Sequence, residues 1–104
     1  MTIIIQHPDF KPSPELIEFV HTHTGKLASL SDRILEARVL MKLNKSDTRQ
    51  NKVCEIRLVI PGNDLFASHE SSSFEEALTK TTDALKVQVE RWKDSTRPRR
   101  HKIN

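Results

Sequence analysis

Residues 34–70, ILEARVLMKLNKSDTRQNKVCEIRLVIPGNDLFASHE, decide the fold. Within 34–43, Ala37, Val39, Met41 and Leu43 alternate with Glu36, Arg38 and Lys42, the period-two sign of a strand with one dry and one wet side. Residues 53–60 repeat the pattern, with Cys54, Ile56, Leu58 and Ile60 on one side and Glu55 and Arg57 on the other. Pro61-Gly62-Asn63-Asp64 is a turn signal, because proline presets one backbone angle and glycine supplies another that other residues resist. Residues 65–70 then return as a third strand, and the three form a meander.

Outward from the meander, residues 2–6 (TIIIQ) read as a short β-branched strand, followed by a loop punctuated by Pro8 and Pro12. Ser13 suits an N-cap, with Pro14 at the first helical position, where a missing N–H costs nothing. Leu16, Val20, His23, Leu27 and Leu30, flanked by Ile17 and Phe19, recur at helical spacing and predict a helix over 14–30. Gly25 weakens that helix by about 1 kcal/mol relative to Ala. On the other side, Ser73-Phe-Glu-Glu76 is a capping box: the serine hydroxyl reaches the N–H three residues on, and Glu76 reaches back. A second helix follows to about 95, with Phe74, Leu78, Thr81, Leu85, Gln88 and Trp92 on one stripe, and it ends before Pro98. Trp92 continues the stripe and is expected as a core or partly covered ring, and Cys54 as a small core residue.

The order is β-α-β-β-β-α. A four-stranded sheet that is apolar on one face requires both helices on that face, giving an α+β two-layer domain. Residues 1–96 are expected to form this domain and 97–104 a basic, flexible tail.

At 104 residues the chain holds one modest core. No run approaches the roughly 18 apolar residues of a membrane span. TIIIQ lacks the charged lead and cleavage site of a signal peptide. The single Cys54 cannot form an internal disulfide and fits a reducing cytosol, so a cytoplasmic protein is expected. With only Gly25 and Gly62, a glycine-rich phosphate cradle is excluded. His21 and His23 are two apart on a helix and diverge, and His7, His69 and His101 fall in different elements, so no metal site is expected. No serine sits in a nucleophile-elbow context. The expectation is a non-enzyme with no cofactor, no metal and no small-molecule substrate.

Charge says more. Residues 91–104 (RWKDSTRPRRHKIN) hold six of the seventeen Lys and Arg residues and one acid, Asp94, leaving eleven basic and thirteen acidic residues before them. A positive field gathered at one pole points to a polyanion. Cations in a last helical turn complement the helix dipole, which accounts for Arg91 and Lys93 but not for Arg97, Arg99, Arg100 and Lys102. The α-β-β-β-α order is that of a double-stranded-RNA-binding domain, which grips phosphates with a basic cluster at the start of its last helix. Here that position carries Glu75 and Glu76, so the groove-spanning mode is not expected. RNA contact should move to Lys80, Lys86, Arg91 and Lys93 on the second helix, and to Lys26, Arg33, Lys42 and Lys45.

Phe19-Val20, Lys26-Leu27, Asp32-Arg33-Ile34, a strand ending in Lys42, Phe66-Ala67, Ser73-Phe-Glu-Glu-Ala77 and Leu85-x-x-Gln88-Val89-x-Arg91-x-Lys93 occur in one register from about Thr2 to about Lys93. In that order and spacing they resemble the ribosome hibernation promoting factors, also called ribosome-associated inhibitor, protein Y or sigma-54 modulation proteins. The resemblance implies a domain that binds the small ribosomal subunit over the decoding centre, where mRNA and tRNA otherwise sit, and so silences translation in idle cells. It implies charge pairing of Lys26, Arg33, Lys42, Arg91 and Lys93 with 16S rRNA phosphates. The chain departs from many members at Ser73 and Glu75, where they carry Asp and Tyr, and at His23 and Ala84, where they carry Lys. It resembles the short form of the family, without a second, dimerising domain. A protein-binding module is the alternative, using a sheet face that would present Glu36, Arg38, Glu55 and Arg57 with Leu40 and Val59.

Overall fold

The computed structural model describes residues 1–45 and 49–96, Thr96 by its backbone alone. The basic run containing Arg97, Arg99, Arg100 and Lys102 lies outside the described residues, and with it the expected tail. The six expected elements are present in the expected order: β1 (Thr2–Gln6), α1 (Pro14–Gly25), β2 (Glu36–Leu43), β3 (Lys52–Val59), β4 (Leu65–Ser71) and α2 (Phe74–Thr96). The first helix tightens past Gly25 into a 3-10 turn, Lys26–Leu30, so the predicted 14–30 helix is two pieces rather than one.

The strands lie in sequential order, β1-β2-β3-β4. β1 runs parallel to β2, because the chain returns through α1, and a helical crossover brings a strand back in the same direction. The β2-β3 and β3-β4 pairs are antiparallel. Register sorts the residues by face. Ile5, Val39, Ile56 and Ala67 form one cross-strand row beneath the helices, and Ile4, Arg38, Arg57 and Phe66 form the next row on the open side. A slip of one residue would exchange the two rows and expose the core, so the hydrophobic pattern itself pins the register.

Both helices cover the dry face. Phe74, Ala77, Leu78, Leu85, Val89 and Trp92 of α2, with Leu16 and Val20 of α1 and Leu27 after it, bury against Ala37, Val39, Met41, Cys54, Ile56 and Leu58. Thr81 is the fully buried polar residue of the α2 stripe. Its hydroxyl donates to the Ala77 carbonyl at 2.7 Å and lies 3.2 Å from the Cys54 carbonyl, so burial leaves it satisfied. Cys54 is fully enclosed, and burial pushes its thiol up to about 12.

Local chemistry sets the element ends. The Leu16 N–H donates to Ser13 Oγ at 3.1 Å, with Pro14 opening α1, as the sequence predicts. At α2 the box is half realised. The Glu76 N–H donates to Ser73 Oγ at 3.1 Å, but the Glu76 carboxylate turns outward, accepting from Ser72 Oγ at 3.4 Å and pairing with Lys80 at 3.6 Å. Gly62 takes φ +95° in the β3-β4 turn, a conformation that disfavours any residue with a Cβ. The loop after β1 is tied at two points. Asp9 accepts the Leu43 N–H at 2.9 Å, beyond the last β1–β2 pair, and Phe10 stacks on Phe74 with centroids 4.5 Å apart.

Candidate nucleic-acid interface

The helical layer carries a groove of about 440 Å³ where α1 and its 3-10 extension meet α2. One wall is His23, Lys26, Leu27, Ser29 and Leu30; the other is Thr79, Thr82, Asp83 and Lys86. Lys26 is placed by the tightening of the chain after Gly25, and Ser29 Oγ donates to its carbonyl at 2.8 Å. Lys86 belongs to the flank of α2 beside the buried stripe. Both ammonium groups are on exposed residues, and neither makes an ion pair with another described residue. Asp83 is the one carboxylate among the lining residues.

The other predicted cations on α2 are placed differently. At 3.6 residues per turn, Lys93 shares the Lys86 flank, while Lys80 and Arg91 fall on the flank toward β4. Lys80 lies 3.6 Å from Glu76 and Lys93 lies 3.7 Å from Glu90, each within one helical turn of its partner. Arg91 is exposed and lines a shallow apolar cleft with Leu65, Gln88, Trp92 and Ser95. Gln88, expected on the apolar stripe, reaches over that edge to donate from Nε2 to the Phe66 carbonyl at 2.8 Å.

Arg33 is held in a third way. Its guanidinium carbon lies 4.5 Å from the centroid of the Trp92 ring, which is otherwise buried. The covered ring expected at Trp92 is therefore present, and its cover is a cation that the sequence reading assigns to RNA. Such a stack is worth about 0.5–1 kcal/mol at an exposed site and restricts where the guanidinium points.

The open face of the sheet is charge-balanced. Arg38 pairs with Glu36, Lys42 lies 3.1 Å from Glu55, and Arg57 lies 3.9 Å from Asp64 and 5.3 Å from the centroid of the exposed Phe66 ring. Lys42 and Lys45 line a cleft at one end of this face, with Glu55 and Glu70 as its acidic members. Of the six cations expected at one pole, Arg91 and Lys93 stand in the last turns of α2, and the other four lie outside the described residues. Lys26, Lys86 and Lys93 sit on the inter-helix side, Lys80 and Arg91 on the β4 side of α2, and Lys42 and Lys45 beyond the sheet. Helical and strand periodicities distribute charges around each element, and only packing decides which of them converge. His23, read from the sequence as part of the α1 stripe and not as a metal ligand, is a member of the groove. Its place on the α1 stripe, one turn before Lys26, was the signal available.

Among the described residues no group of three or more His, Cys, Asp or Glu side chains is arranged to hold a metal ion. No helix there is long and apolar enough to cross a membrane.

Fold and surface together define a small two-layer α+β domain whose helical side carries Lys26 and Lys86, neither ion-paired to another described residue, over a continuous core. The chain belongs to the sigma 54 modulation protein / S30EA ribosomal protein family, whose model matches residues 3–97, and with it to the ribosome-associated factors. Among solved structures it is similar to a ribosomal subunit interface protein from Coxiella burnetii, with a TM-score of 0.80 and 20% identity over 90% of this chain and 99% of that one. It is also similar to the Protein Y N-terminal domain of Thermus thermophilus, with a TM-score of 0.75 and 22% identity over 88% of this chain and 99% of that one. At these identities the two likenesses establish the fold. No curated protein sequence matches the chain.

Proposed function

We propose that this protein is a non-catalytic ribosome hibernation factor that binds 16S rRNA of the small ribosomal subunit at the decoding region. There it occupies the space of mRNA and tRNA and inhibits translation in the cytoplasm of idle cells. Family membership supports association with the ribosome, and the names of the two similar structures, a subunit interface protein and Protein Y, agree with it. The observation that carries the RNA contact is the groove in which Lys26 and Lys86 stand on opposite walls, neither ion-paired to another described residue. An ion-paired lysine must give up its partner to take a phosphate, whereas these two need only release solvent and counterions. Arg33, steadied on Trp92, and Arg91 extend the contact; Arg97, Arg99 and Arg100, outside the described residues, add to it through long-range charge. Lys42 and Lys45, at the open face of the sheet, would meet a second rRNA surface.

The test is sedimentation of purified protein with purified small and large subunits on sucrose gradients at two salt concentrations. Comigration with the small subunit that weakens steeply with salt is expected, because neutralised phosphates release counterions. Absence of comigration, or binding indifferent to salt, would refute the proposal.

A further inference from the structure

We propose that His23 is a further phosphate-binding residue of the inter-helix groove, acting as an imidazolium, so that attachment to rRNA takes up a proton. The inference rests on the functional reading above and adds a ligand and a pH dependence to the same site. His23 lines the groove with Lys26 and Lys86, half-buried rather than extended into solvent. The Phe19 ring, one turn earlier on α1, packs against the imidazole with centroids 4.0 Å apart and fixes its plane. No described carboxylate is ion-paired to the ring.

The groups around it set the linkage. The 3-10 turn contributes Lys26; α2 contributes Lys86 and the carboxylate Asp83, with the neutral Thr79 and Thr82. β1, the strand α1 packs on, has the sequence TIIIQ and carries no titratable side chain. Two lysines and one carboxylate leave the groove with a single net positive charge before the histidine is counted. A phosphate drawn in by Lys26 and Lys86 adds negative charge beside the ring and favours its protonated form. Reciprocally, protonation adds a third donor to the phosphate site, so protons and rRNA each tighten the other's binding by the same factor. Histidine is the side chain whose ordinary titration range lies where cytoplasmic pH varies. One further phosphate contact is worth about fivefold in affinity near 0.1–0.15 M salt and adds about 0.7–0.9 to the salt slope.

The experiment measures binding of purified small subunits at pH 5.5 and pH 8 for the wild-type protein, His23→Gln and His23→Lys, with thermal unfolding as a folding control. The wild type should bind about fivefold more tightly at pH 5.5 than His23→Gln does, the two should converge at pH 8, and His23→Lys should hold the tight value at both. Titration calorimetry in two buffers of different ionisation enthalpy should show more proton uptake for the wild type than for His23→Gln near pH 6.5. Equal pH profiles for wild type and His23→Gln, or equal proton uptake, would overturn the role of His23 while leaving salt-dependent attachment intact. Failure of the wild type to bind at either pH would overturn the functional reading, and this inference with it. Should His23→Gln fail to fold, wild type and His23→Lys still decide: a gap of about fivefold at pH 8 that closes at pH 5.5 supports the role, and a constant gap refutes it.

Discussion

Replacing Lys26 and Lys86 together by alanine separates a specific groove from a merely basic surface. The two ammonium groups face one another across the helices and have no ion-pair partner among the described residues. If each contacts one phosphate, the double variant loses two contacts, and the slope of log affinity against log salt should fall by about 1.6. At about 0.1 M salt that is a loss of about fortyfold, or about 2.2 kcal/mol. The control is Lys80→Ala with Lys93→Ala, which removes the same formal charge. Those lysines already lie 3.6 and 3.7 Å from Glu76 and Glu90, so their counterions are partly protein side chains and their loss should cost no more than about fivefold. Both doubles alter exposed or half-exposed side chains, and each should change stability by less than about 1 kcal/mol. The assay is filter binding or sedimentation with small subunits at four salt concentrations. Equal losses of affinity and slope in the two doubles would refute the reasoning, because net charge alone would then explain attachment.

Two further outcomes test the fold. Ser73→Ala removes the hydroxyl that accepts the Glu76 N–H at the start of α2; it should lower unfolding free energy by about 1 kcal/mol in urea titration, with Ser73→Asp recovering most of it. Burial raises the Cys54 thiol from about 9 to about 12. The unfolded chain therefore loses this proton first, and the contribution is full below about pH 9 and lost as pH rises toward 12. Wild-type stability should decline by up to about 1.4 kcal/mol per pH unit more than that of Cys54→Ala over this window, and the native thiol should resist a thiol reagent at pH 8.

Much of the architecture was legible because its signals are local. The alternation of Ala37, Val39 and Met41 with Glu36, Arg38 and Lys42 reports which way each side chain must point, whatever lies beyond the strand. Ser13 with Pro14, the Pro61–Asp64 turn and Ser73 mark ends by backbone chemistry within a few residues. The change to 3-10 geometry after Gly25 was missed, since helical spacing over 26–30 is almost the same in either form. The second half of the capping box was expected but does not form, because Glu76 has two other takers, Ser72 and Lys80, within reach.

What the chain determined unaided is therefore the set of elements, their faces, the α+β class and the family, all properties of short-range spacing and its order. Tertiary structure alone decided how the cations are used. Lys26 and His23 meet Lys86 only because α1 and α2 lie side by side on the sheet, Arg33 finds Trp92 only because the chain after the 3-10 turn passes the end of α2, and Lys42 is spent on Glu55 across the strands. Charge acts over distance in space, and separation along the sequence does not measure it.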